Sequence, residues 1–589
     1  MYIEAWKEAL VIRGLDRALP EELAPRIKYN EKVRGYITTL SFQNLMFLSN
    51  YFKTDLKPFF KKGYHLVEEI KAGYRGYLDS LKQTEQVKNS IDLPPIEYKI
   101  PPLAEYQHKG VWFLLSNPIA PLFASPGLGK TFMVLVACEK LIAAGEVRPG
   151  KILVCGKLAT LETGWMEDAE KFTNLKASLV YSSSSYKRKE KLLAALDEPA
   201  DIYITNHDTV RTIKEALVEK RFDMVIVDES TILKSFRGDG LDGGAFGKAL
   251  CEVSQGSKRR VIMSGTPAPN GPEDLWGQFK FLDPYGFIFE RKYSDFKREY
   301  MIEKEYGIKN SFKTCFFNPE RIVDIKSQVA RLAYRVKLRD HLLDLPERTT
   351  IKRLVRMSRE QQAHYDAMEE SLATTIEDQF ISVDEKLSRL TKLRQITGGF
   401  LIDQEENPHV IETATKMKAL DELMEEVGMG VNSPTKIVIF AQYQWEISEI
   451  ETRYKSLGSV SVYGGNQSKK NLDNIKEFIH NPETKVIVLH PRSAAHGITL
   501  TVSHYMIFYS ISYSAEDNCQ CVARIERASQ KHPMFIYYLL AGSAESKVKK
   551  SMTIDEVIYA VIARKEASQE ELLEQRIIDA AIINSFKKL

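Results

Sequence analysis

Two kinds of apolar spacing alternate along this chain. Short unbroken apolar runs, the mark of strands buried on both faces, stand before segments with the three-to-four-residue spacing of helices. Residues 118–124, "PIAPLFA", are one such run, and "TFMVLVACEKLIAAG" follows with helical spacing and a glycine stop at Gly145. A second run, Met224 to Val227, ends in Asp228 and Glu229; a third passes through "RRVIM" into Ser264-Gly265-Thr266-Pro267. A further strand and helix set begins near residue 435. This alternation predicts an α/β chain.

Between and around these sets the period changes. Residues 286–430 read as helix and not as sheet: "EQQAHYDAMEESLATTIEDQF" and "DEKLSRLTKLRQITGGFL" carry helical periods, with Gly398-Gly399 as a stop. The last stretch, from residue 551, holds two helical patterns with apolar faces, read either as a brace on the rest of the chain or as a docking tail for a protein partner. Near the start, "FQNLMFLSNYFKTDLKPFFKKGYH" interleaves aromatics with Lys53, Lys57, Lys61 and Lys62. Such a patch can stack on unpaired bases, or its aromatics can be the core of a small α+β module with the lysines outside. The paired prolines of "SIDLPPIEYKIPP" read as a linker.

The turn after the first run is where chemistry enters. "ASPGLGKT" matches the phosphate-binding pattern with Ala124 in place of its first glycine. Strand, loop and helix in that order point backbone N–H groups of Ser125, Gly127, Leu128 and Gly129, around Pro126, and a helix N-terminus at phosphates. Lys130 is then placed for the β- and γ-phosphates of ATP and the Thr131 hydroxyl for Mg2+. Asp228, at the end of a buried strand, completes the metal shell, and Glu229 beside it is placed to orient and deprotonate the attacking water.

Composition adds limits. At 589 residues the chain is long enough for several cores, and a net charge of +3 does not announce a polyanion ligand, though a basic groove balanced by acidic faces remains compatible with it. The N-terminal stretch has no signal-peptide pattern, and no apolar run is long enough to span a membrane, so a cytoplasmic protein is expected. The six cysteines are scattered without zinc spacing, as for free thiols in a reducing compartment.

The stretch "KRRVIMSGTPAPNGPEDLWGQFKFLDP" resembles motif III of the Swi/Snf-type ATPases of helicase superfamily two, and the rest of that motif series follows in order over residues 97–550. "LAEYQHKGVWFLL" resembles the Q motif, which implies Gln107 as the adenine reader. "KILVCGKLATLETGWMEDAEKF" resembles motif Ia, "DIYITNHDTV" motif Ib, "RFDMVIVDESTILKS" motif II, "TKIVIFAQYQWEISEIE" motif IV, "HPRSAAHGITLT" motif V and "NCQCVARIERASQKHP" motif VI.

The resemblance implies two tandem RecA-like parallel-sheet lobes with helical insertions, a small N-terminal α+β module and a C-terminal helical brace. The expected segments are 1–95, 96–285 for the first lobe, 286–430 for insertions and linker, 431–550 for the second lobe and 551–589 for the brace. It also implies catalysis by Lys130, Asp228 and Glu229, with Gln520, Arg524 and Arg527 meeting the γ-phosphate from the opposite lobe. Coupling falls to Thr231, Ser264, Thr266 and Gly497. Lys157, Thr160, Thr205, Asn206, Gln442, Tyr443, Arg492, Ser493 and Thr499 become candidate DNA contacts.

Motif II departs from the family: Asp-Glu-Ser-Thr lacks the histidine that couples ATP to motif III, and Thr231 is the residue that can hydrogen-bond in its place. Tyr513 stands where the family has tryptophan. Divergence and compactness point to a viral or mobile-element branch. The implied function is a DNA-dependent ATPase moving on duplex or branched DNA. A strand-separating helicase and the motor subunit of a restriction or defence complex are the alternatives.

Overall fold

The computed structural model describes residues 2–6, 9–15, 26–90, 92–102, 104–184, 186–236, 244–306, 312–341, 345–377, 383–403, 405–411, 414–430, 432–466, 468–493, 498–543 and 552–572. The chain divides into two compact units: one runs to Lys337 and takes in the described residues from Gln569 on, and the other runs from Leu338 to Ser568.

The first unit opens with a five-stranded sheet in the order β3-β4-β2-β1-β5, from β1 (Tyr2–Trp6), β2 (Ala9–Arg13), β3 (Lys28–Asn30), β4 (Gly35–Thr39) and β5 (Phe60–Lys62). Period-two alternation on β1 turns Ile3 and Ala5 inward, where helices Phe42–Phe52 and Tyr64–Asn89 cover them. Phe42, Phe47, Tyr51, Phe52, Phe59, Phe60 and Tyr64 pack against this core, so the aromatics between residues 42 and 65 build the module. Lys61 and Lys62 lie outside it, over the rings of Tyr2 and Trp6.

The main sheet of this unit is parallel throughout. Its strands are β6 (Ile119–Ala124), β7 (Ile152–Gly156), β8 (Ala177–Val180), β9 (Ile202–Asn206), β10 (Met224–Asp228) and β11 (Arg259–Ser264). A hairpin, β12 (Met301–Tyr306) with β13 (Phe312–Phe317), stands apart, and β14 (Tyr334–Val336) returns to pair with β6. The order is β14-β6-β11-β10-β7-β9-β8. Strands β7, β9 and β10 are buried along their whole length, which is why they read as unbroken apolar runs.

The second unit holds a six-stranded parallel sheet in the order β15-β22-β21-β18-β20-β19. It starts with β15 (Arg348–Arg356), passes a hairpin of β16 (Phe400–Ile402) and β17 (Pro408–Val410), and continues with β18 (Ile437–Phe440), β19 (Ser459–Val462), β20 (Val486–Leu489), β21 (Tyr505–Phe508) and β22 (Met534–Gly542). Helix Ile554–Leu572 packs Ile558 and Ile562 into this core and holds it through Asp555, which accepts from the buried Lys416 ammonium at 2.7 Å and from Thr397 at 3.0 Å. The second C-terminal helical pattern lies outside the described residues.

The expectation that residues 286–430 carry no sheet is corrected. They hold two hairpins and an edge strand of each parallel sheet. β15 misleads because an edge strand needs little burial: eight of its nine residues are partly or fully exposed, so it lacks the apolar run of its neighbours. Helix does fill much of the remainder, including Pro319–Leu332, Arg359–Glu377 and Val383–Gly398. No helix among the described residues is long and apolar enough to cross a membrane.

Burial also leaves a titratable mark on the first unit. The Glu290 carboxyl is pushed up to about 7 by desolvation, which Arg26 at 3.9 Å only partly offsets. A folded-state value above the unfolded one favours the neutral acid, so stability is lost as pH rises through about 7. Glu290→Gln should therefore raise the unfolding temperature at pH 8, by a gain on the order of 1–3 kcal/mol, and leave it unchanged below about pH 4.5. Thermal melts at the two pH values check this.

Candidate nucleotide site

The parallel register sets the site. Ser264 lies opposite Phe123, and Met263 lies opposite Leu122 on one side and Asp228 on the other. The carboxyl ends of β6, β11 and β10 are therefore level, and the three segments that follow them leave the sheet together. In open parallel sheets this edge is where ligands bind.

After β6 the chain turns through Gly127 and Gly129, both with positive φ (82° and 74°), into helix Lys130–Ala143. Two features favour glycine at position 129. Its backbone is left-handed, and a Cβ there would lie 2.5 Å from Nε2 of Gln107. Gln107 is buried beside the loop and donates to the Leu128 carbonyl at 3.3 Å. The Lys130 ammonium donates to the carbonyls of Ala124 (2.8 Å) and Ser125 (3.4 Å), arching over the loop. Ser125 N–H donates to the Val336 carbonyl, so β14 steadies the loop from behind. Thr131 follows in the helix's first turn. A backbone cradle at a helix N-terminus, with a lysine beside it and a left-handed glycine at position 129, fits a nucleotide triphosphate.

Asp228 is nearly buried and accepts from Trp165 Nε1 (3.0 Å) through Oδ2 and from the Glu229 backbone N–H (2.9 Å) through Oδ1. Trp165 carries no charge and shows no acid–base signal in the sequence, so its grip on the acid is legible only in three dimensions. Glu229 adopts a left-handed backbone (φ 48°, ψ 56°), which costs a non-glycine residue on the order of 1–3 kcal/mol. Ser264 and Thr266 are buried and joined to each other by Thr266 N–H to Ser264 Oγ at 3.0 Å. A Cβ on Gly265 would lie 2.8 Å from Pro126 Cδ, so this turn presses on the phosphate loop. Thr231 donates to the Glu229 carbonyl at 3.5 Å.

The motif Ia and Ib residues leave the same sheet edge from β7 and β9. Lys157 follows β7 directly, and Thr160 donates back to the Lys157 carbonyl at 3.0 Å. Thr205 is fully buried and donates to the Val180 carbonyl, while Asn206 caps helix His207–Thr212 by accepting from Thr209 N–H at 2.9 Å. The Thr205 hydroxyl and the Asn206 side-chain oxygen are thus bonded within the lobe.

In the second unit, Phe440, Leu489 and Phe508 share one row across β18, β20 and β21, so motifs IV and V again leave a common edge. Gln442 donates its backbone N–H to Ser510 Oγ at 2.8 Å. Tyr443 is packed between Phe400 and the Arg394 guanidinium. Ser493 turns back on the His490 carbonyl, and the side chain of Arg492 is 84% exposed, 4.0 Å from Asp517.

Gln520 and Arg524 are buried, Gln520 lying 3.5 Å from Glu516 Oε1. Arg527 donates to Thr499 Oγ1 at 2.6 Å and to the Ala523 carbonyl; desolvation, with Arg524 nearby, pulls it down to about 10, still charged at neutral pH. Glu526 between them accepts from Arg339 (2.6 Å) and Arg348 (2.8 Å), tying motif VI to the start of the unit. Gly497 lies outside the described residues.

The SNF2-related domain family matches residues 106–398, and the helicase conserved C-terminal domain family matches 415–529. The chain is 27% identical over 483 residues to protein p41 of Acyrthosiphon pisum secondary endosymbiont phage 1, covering 80% of this chain and 97% of p41. It is 24% identical to a Caenorhabditis elegans homologue of the SWI/SNF-related, matrix-associated, actin-dependent regulator of chromatin subfamily A-like protein 1, covering 79% of this chain and 61% of that one. Against the Saccharomyces cerevisiae ISWI chromatin-remodeling complex ATPase ISW1, identity is 23%, over 77% of this chain and 40% of that one. Among solved structures, the Sulfolobus solfataricus SWI2/SNF2 ATPase core in complex with dsDNA matches at 24% identity and TM-score 0.37, over 82% of this chain and 98% of that one.

The chain belongs to the Swi/Snf-type ATPases of helicase superfamily two. It is an ATP-hydrolysing, helicase-like enzyme with the two RecA-like lobes of that class.

The cradle makes its own prediction. Gly129→Ala should weaken binding of a fluorescent ATP analogue at least roughly tenfold while leaving the far-ultraviolet circular dichroism unchanged, because the added methyl meets Gln107 and the left-handed backbone together.

Proposed function

We propose that this enzyme is a DNA-stimulated ATPase that translocates on double-stranded or branched DNA, remodelling forks or junctions or displacing bound protein. The observation that carries the reading is the shared edge of one parallel sheet. The nucleotide segments leave it from β6, β11 and β10, and the motif Ia and Ib segments leave it from the neighbouring β7 and β9. A shift of the phosphate loop or of the Glu229 turn is therefore passed to the segments beside it through rigid strands. The family supplies the DNA.

In this reading Lys130 meets the β- and γ-phosphates, and Thr131 and Asp228 hold Mg2+, which supplies charge to the transferring phosphate. Trp165 keeps one Asp228 oxygen oriented. Glu229 takes the proton of the attacking water, and Arg524 and Arg527, assisted by Gln520, stabilise the charge that develops on the γ-phosphate. Gln107 holds the loop from the adenine side. Lys157 and Arg492 are the cations we assign to phosphates of the DNA backbone, contacts that position without reading bases. A cytoplasmic site of action, in a bacterium or an infected host cell, accords with this role.

ATPase rates without DNA and with single-stranded, duplex and forked or four-way-junction DNA test the proposal. Duplex or branched DNA should stimulate hydrolysis, and Glu229→Gln should lower kcat by roughly 10²–10⁴. Stimulation by single strands alone would favour a strand-separating helicase, and no response to any nucleic acid would overturn both readings. Arg492→Ala should weaken duplex binding across sequences and reduce the slope of log K against log salt by about one. Fluorescence anisotropy over a salt series reads that slope.

A further inference from the structure

The Glu229 turn is held from a residue outside the recognised acid and phosphate positions. Ser230, next in the chain, is completely buried and donates its hydroxyl to Oε1 of Gln278 at 2.6 Å. Gln278, also completely buried, donates Nε2 to the Pro267 carbonyl at 2.6 Å and to the Asp274 carbonyl at 2.8 Å. The amide can point only one way. Two carbonyls can only accept, so the NH2 must face them, and the oxygen is left for the Ser230 hydroxyl.

The surroundings leave this amide little play. Gln278 sits on helix Glu273–Leu282, and a Cβ on the preceding Gly277 would lie 2.0 Å from the Leu233 carbonyl. The helix is thus pressed directly onto the 3₁₀ segment Ser230–Ser235. On the other side, Pro267 continues the Ser264-Gly265-Thr266 turn, whose Gly265 is in contact with Pro126 of the phosphate loop. One side chain therefore spans from the residue after Glu229 to the turn that leans on the phosphate cradle.

We propose that Gln278 is a positioning residue for hydrolysis: through Ser230 and Pro267 it fixes the left-handed turn at Glu229 relative to the phosphate loop. This rests on the assignment of Glu229 as the base. The sequence points to Thr231 for the link between motifs II and III; Ser230 and Gln278 form a span between the same two turns.

Gln278→Leu keeps the volume and the helix but removes the amide. Ser230→Ala removes only the hydroxyl. Each should lower kcat roughly tenfold or more, with KM for ATP within about twofold of wild type and one fluorescent ATP analogue still bound per chain. The double variant should be no slower than the slower single one, because both break the same connection. A purely structural role would instead lower the melting temperature and the binding stoichiometry, and that result overturns the proposal. So do singles that retain kcat within about twofold, or losses that multiply in the double variant. Should Gln278→Leu fail to fold, Ser230→Ala and its stoichiometry decide alone. Glu229→Gln, measured alongside, separates the two readings: an active Glu229→Gln sinks the assignment of the base, whereas an inactive one beside a fully active Gln278→Leu sinks only the role of Gln278.

Discussion

The row-by-row parallel pairing of β6, β11 and β10 is the constraint on which the rest of the nucleotide site depends. Parallel ladders hold neighbouring strands at fixed register, so one set of hydrogen bonds brings Ala124, Ser264 and Asp228 to the same edge. Each strand is buried, and a slip of β10 by one residue would exchange the side chains it presents to the two faces and carry Asp228 out of line with Met263. The chemistry is borrowed from that register. Nothing in the three turns would meet without it.

What the register delivers, local contacts refine. Gly129 and Gly265 are close-approach positions, one beside the Gln107 amide and one against the rigid ring of Pro126. Glu229 goes further by adopting a left-handed backbone that its own side chain disfavours. Such strain persists only where neighbours over-determine it, and the Asp228 carboxylate bonded to the Glu229 N–H is one of those neighbours. The acid pair is thereby held stiffly at the end of β10, the stiffness that catalysis by orientation would ask of it in the proposed reading.

The second unit solves a related problem with charge. Arg524 and Glu526 are buried and Arg527 is half-buried, all within four residues, and desolvating two guanidiniums together is costly. Arg527 is relieved by Thr499 and the Ala523 carbonyl, and Glu526 is directed away to Arg339 and Arg348. The acid that sits between Arg524 and Arg527 therefore serves the beginning of its own unit. Asp555 does comparable work for helix Ile554–Leu572, meeting the buried Lys416 and a backbone N–H of β22.

By itself the amino-acid sequence determined the strands that are buried on both faces, the glycine-rich turn, the acid pair, and the order of the motifs. Each of these is local, carried by a run of adjacent residues or a fixed spacing, and local patterns survive in one dimension. The two hairpins within residues 286–430 escaped it, and so did β15, because an edge strand needs little burial and leaves no apolar run. Thr205 and Asn206 could be placed at a strand end, but only the folded lobe showed their side chains turned to Val180 and Thr209. The same holds for Trp165 on Asp228 and for Gln278 on Ser230: their partners lie 63 and 48 residues away along the chain, and contacts of that length are decided by sheet register and helix packing, not by any neighbour in sequence.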